Sequence, residues 1–66
     1  METITIASYK PATGILDLTL DPAGEVYQDD IEVSLQAILE EPPEDCVEIS
    51  WDLVGTNLVT IVDSGL

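Results

Sequence analysis

The chain has 66 residues, with fourteen acidic side chains against one lysine, no arginine and no histidine, for a net charge of −13. That length allows a single domain, residues 1–66. The missing histidine and the lone Cys46 exclude Cys/His zinc sites, Ser-His-Asp or Cys-His nucleophiles and an internal disulfide.

The charge sets the sign of any electrostatic partner. Nucleic acid and anionic membranes are repelled, whereas basic protein surfaces are attracted and steered. A small domain needs a net charge of only about 2–8 for solubility, so this chain carries a surplus that opposes folding by self-repulsion. A high-salt host or an acid-biased proteome would produce the same surplus. Hydrophobic residues make up 45% of the chain, enough for a folded core. No apolar run approaches the roughly 20 residues of a membrane span, and no basic segment leads into an apolar block at the start. A cytoplasmic protein is the expectation.

In chain order, "TITIASY" (3–9) alternates Ile4 and Ile6 with threonines, the strand period of two. Tyr9 falls on the opposite parity. "KPATG" is a turn, and "ILDLTL" (15–20) alternates Leu16, Leu18 and Leu20 with Asp17 and Thr19, completing a hairpin. "DPAG" (21–24) reads as a second turn, with Tyr27 in an irregular approach to a helix. Asp29 followed by Glu32 reads as the helix cap, with Asp30 in the first turn. Ile31, Leu35, Ile38 and Leu39 then form one apolar stripe, and Pro42 with Pro43 stops the helix after about three turns. "CVEISWDL" (46–53) sets Val47, Ile49, Trp51 and Leu53 inward, with Trp51 assigned to the core, and Cys46, Glu48, Ser50 and Asp52 outward. After a "VGTN" turn, "LVTIV" (58–62) is apolar on both faces except at Thr60. Such a run suits a central strand, or one whose second face meets a partner. "DSGL" reads as an exposed tail.

The expected fold is α+β: ββαββ, with a four-stranded mixed sheet in the order 2-1-4-3 and one helix on one face. The first and last strands are then parallel neighbours joined by a right-handed crossover. "METITI", "LDLTLDP" and "IEVSLQAILEEPPEDCVEISW" together resemble a compact β-grasp domain, similar to ubiquitin-like proteins and to immunoglobulin-binding domains of the protein G type. The resemblance implies a carrier-type module recognised through its C-terminus. The single glycine of "DSGL" departs from the Gly-Gly ending of conjugated relatives, and the last two strands are joined by a tight turn instead of a longer insert.

Enzymatic use is the least favoured class. A general acid needs a carboxyl withdrawn from water, and Asp29–Asp30, Glu40–Glu41 and Glu44–Asp45 read as hydrated. "DPAGEVYQDD" offers oxygen ligands but lacks the EF-hand spacing, so no metal or cofactor is expected. The leading reading is a non-enzymatic acidic binding protein that docks on a basic protein surface, as an inhibitor or nucleic-acid mimic competing for a DNA- or RNA-binding site. The candidate contacts are Glu40, Glu41, Glu44 and Asp45 at the helix-to-strand corner, Glu48 and Asp52 on the outward face of the third strand, and Asp29 with Asp30. The alternatives are the carrier-type module and a structural subunit, a homodimer formed through the last strand.

Overall fold

A computed structural model describes residues 3–65. Met1 and Glu2 of the "METITI" opening and Leu66 of the "DSGL" ending lie outside the described residues. The elements in chain order are β1 (Thr3–Lys10), β2 (Ile15–Leu18), α1 (Pro22–Glu40), β3 (Cys46–Val54) and β4 (Asn57–Ser64). The four strands form one antiparallel sheet in the order β2-β1-β3-β4, with the helix on one face.

This corrects the expected mixed sheet of order 2-1-4-3. β3 lies between β1 and β4, so the parallel pairing of first and last strands expected from a right-handed crossover does not occur. The reason lies in which strand has most to bury. Ile49, Trp51 and Leu53 of β3 are almost wholly enclosed, and pairing on both sides shields them best. The apolar run of β4 is an edge strand with much of that surface exposed.

The helix is longer than its apolar stripe suggests and starts earlier. Asp21 is the N-cap; its carboxylate oxygen accepts the Gly24 N–H at 2.7 Å, and Pro22 occupies the first turn. Proline suits that position because its missing N–H has no intrahelical acceptor there and its φ is already helical. "DPAG" is therefore a helix start instead of a turn, and Asp29 and Asp30 lie inside the helix instead of at its cap. Ile31 is buried, and Ala23, Tyr27, Leu35 and Ile38 pack against the core, whereas Leu39 at the helix end stays exposed. Two side-chain bonds fix the helix to the sheet. Tyr27 Oη donates to the Thr56 carbonyl at 2.7 Å, and Trp51 Nε1 donates to Ser34 Oγ at 3.2 Å.

Two register shifts change which residues face the helix. In β1 a bulge between Thr5 and Ala7 makes Ile6 an extra residue, and both Ile6 and Ala7 are buried. Beyond it the parity is reversed: Tyr9, expected outward, lies opposite Ile49 and packs against the core. In β3 a bulge between Cys46 and Glu48 does the same. Cys46 packs toward the core, and Val47, expected inward, is 53% exposed. A bulge inserts one residue into one strand, so a strict period of two fails across it.

Gly24 is buried where the first helical turn meets the end of the first hairpin, and a Cβ there would collide with the Thr19 carbonyl oxygen. Backbone on both sides leaves little room for relief. Gly24→Ala is expected to cost about 1–3 kcal/mol despite alanine's higher helix propensity. The shift in urea midpoint measures it; an unchanged or raised midpoint would place the helix N-terminus farther from Thr19.

Candidate functional site

Antiparallel register assigns every strand residue to a face, since directly opposed residues share one. Opposite the helix, the sheet presents Thr3, Thr5, Ser8 and Lys10 of β1 and Ile15 and Asp17 of β2. β3 contributes Glu48, Ser50, Asp52 and Val54 to this face, and β4 contributes Asn57, Val59, Ile61 and Asp63. Among the described residues no element covers this face. No pocket forms among them either, so the candidate site is a surface.

Asp52 occupies an unusual place on that surface. Its cross-strand neighbours are Thr5 and Val59, and the residue is only 9% exposed. Its Oδ1 is buried with no hydrogen-bond partner. A buried oxygen without a donor costs about 1–3 kcal/mol, so Asp52 is held at the expense of stability. Glu48, on the same strand face, lies opposite Asp63, a like-charge pair that weakens the ladder. Lys10 Nζ approaches Glu48 at 3.9 Å, a half-exposed contact worth at most about 1 kcal/mol. It is the one ion pair among the described residues.

The second acid group lies at the corner after the helix. Glu40 is the last helical residue and Glu41 the C-cap, whose N–H donates to the Ala37 carbonyl at 3.2 Å. The last turn holds no basic side chain, so these carboxylates sit against the negative end of the helix dipole. Glu44 and Asp45 follow in the exposed turn that leads into β3. Asp45 has φ 57°, a left-handed conformation that Asp adopts more readily than most residues. Its carbonyl accepts the Gly65 N–H at 2.9 Å, which ties the corner to the end of β4.

The eight predicted contact residues therefore divide into three places. Glu40, Glu41, Glu44 and Asp45 share the corner, and Glu48 with Asp52 share the open face, roughly 13 Å apart at strand rise. Asp29 and Asp30 are exposed on the middle of the helix, about 16 Å along its axis from Glu40. Asp17 and Asp63 join the open face and were not among the candidates. The outward parity of Asp17 in "ILDLTL" was the available signal, whereas Asp63 was read as tail because β4 extends past the apolar run. Comparison with known proteins finds no family model, no curated protein and no solved structure that matches this chain.

Replacing Asp52 by valine removes the orphaned oxygen and supplies a β-branched side chain of similar size. Asp52→Val is expected to stabilise the free protein by about 1–3 kcal/mol in urea unfolding. A loss of stability would mean that the carboxylate is satisfied within the fold.

Proposed function

We propose that the chain is a non-enzymatic acidic binding protein that docks on a basic protein surface and competes there with nucleic acid. The observation that carries this reading is the lack of internal compensation: the net charge is −13, and among the described residues one carboxylate is ion-paired. A field of this kind attracts a basic surface over a Debye length and accelerates encounter.

The dimensions favour mimicry of a duplex. The domain measures 31 × 22 × 17 Å. A duplex segment as long as the 31 Å axis carries roughly 18 phosphate charges. The protein offers 13 net negative charges over that length, a comparable linear density. Asp52 lies at the centre of the open face and adds its charge to the field there, with its buried Oδ1 out of reach of a partner side chain. The corner carboxylates Glu40, Glu41, Glu44 and Asp45 widen the footprint, and Asp29 and Asp30 extend the field along the helix.

The test is titration against a panel of basic nucleic-acid-binding proteins at rising salt, with duplex DNA as competitor. Affinity for the true partner is expected to fall about tenfold or more between roughly 50 and 200 mM salt, and bound DNA is displaced. Reversing Glu40, Glu41, Glu44 and Asp45 to lysine, or changing Asp52→Asn, weakens binding. An affinity indifferent to salt and to both variants removes the electrostatic reading.

A further inference from the structure

β4 is an edge strand of eight residues, twice the length of the opposite edge β2. Edge strands normally carry devices that prevent pairing with another chain, such as charges, prolines, central bulges or a short length. β4 has few of them. From Leu53 to Val62 no residue is charged and none is proline, the β3 bulge lies at the far end, and Val59, Ile61 and Val62 are 38–46% exposed. In a chain of charge −13, this is the side on which a second copy meets least repulsion.

The hairpin determines which backbone groups are free. Gly55 and Thr56 form a two-residue turn with φ 65° at Gly55, and such a turn closes on a hydrogen-bonded pair, here Val54–Asn57. By antiparallel alternation Asp52–Val59 and Ser50–Ile61 are also bonded pairs. Leu58, Thr60 and Val62 therefore direct their N–H and C=O groups away from β3, at even spacing centred on Thr60.

The geometry points to a homodimer in which two β4 edges pair antiparallel about a two-fold axis at Thr60, giving one continuous eight-stranded sheet. In this register Thr60 opposes Thr60 of the second copy, and Leu58 opposes Val62, so every free donor meets a free acceptor. Val59 opposes Ile61 on the open face, joining exposed apolar side chains. Asp63 opposes Asn57 and not another carboxylate. The surface is self-complementary, as a two-fold interface requires. The contact is smaller than the roughly 1,200–2,000 Å² of a standard interface, so the dimer is weak. Long-range repulsion between the copies makes it tighten as salt rises, opposite in sign to docking on a basic partner; the two proposals therefore fail separately.

Sedimentation equilibrium from micromolar to millimolar protein, at low salt and at about 1 M NaCl, tests the inference with two variants. The wild type is expected to show a monomer–dimer equilibrium shifted toward dimer by salt. Thr60→Pro removes the central donor, at a position where proline is tolerated because the N–H faces away from the sheet. It should weaken dimerisation at least tenfold while Trp51 fluorescence stays native. Thr60→Cys on a Cys46→Ser background should form a disulfide-linked dimer under oxidation, since a bonded antiparallel pair places the Cα atoms about 5.5 Å apart; Asn57→Cys on that background should not. A wild type that remains monomeric throughout overturns the proposal. So does a dimer that ignores Thr60→Pro or crosslinks no better through Thr60→Cys than through Asn57→Cys.

Discussion

The pairing of β3 on both of its edges is the constraint on which the rest of the structure depends. With β1 on one side and β4 on the other, its backbone is satisfied along nearly its whole length. Its side chains can then be divided cleanly between two environments. The odd positions Ile49, Trp51 and Leu53 meet the helix and form the centre of the core. The even positions Glu48, Ser50 and Asp52 lie on the open face, where flanking strands enclose Asp52 without a donor. One strand thus supplies both the largest hydrophobic contribution and the most costly polar group. The helix is held over it by an indole N–H bonded to Ser34, so sheet and helix are aligned at the largest fully buried side chain.

Much of this was legible in the sequence, and the failures have specific physical causes. Alternation in "TITI", "LDL" and "ISWDL" located three strands and the inward face of Trp51, because period two is a direct consequence of the pleat. It misplaced Tyr9, Cys46 and Val47, since each lies beyond or within a bulge and a bulge has no residue signature of its own here. The helix start was misread because Asp-Pro serves both turns and N-terminal caps, and what distinguishes them is the tertiary approach of Gly24 to Thr19. Strand order was the least accessible feature. Hydrophobicity suggested β4 as central, yet the fold places β3 there because Trp51 and its neighbours have more to lose from exposure. The acid corner at Glu40–Asp45 and the outward parity of Glu48 and Asp52 were readable; the burial of Asp52 was not, because it depends on cross-strand neighbours.

The acidity and the free edge are connected. A domain of this size has a narrow stability margin, and it tolerates self-repulsion, carboxylates at the wrong end of a helix and an orphaned buried oxygen. These costs fall on the open face and the helix end, while the β4 edge from Asn57 to Val62 is left uncharged. The surface is therefore segregated into an acidic part suited to a cationic partner and an uncharged edge suited to a copy of itself. In a dimer joined through β4 the two open faces form one continuous surface, doubling the charge presented without moving any carboxylate inward.

The strand order underlies all of these assignments, and residue-resolved hydrogen exchange in dilute, low-salt solution tests it most directly. With β3 interior and β4 at the edge, the amides of Ile49 through Val54 are all slow. Those of β4 alternate, Val59 and Ile61 slow while Leu58, Thr60 and Val62 exchange freely. Uninterrupted protection along β4 with alternating protection in β3 would place β4 inside the sheet and contradict the account.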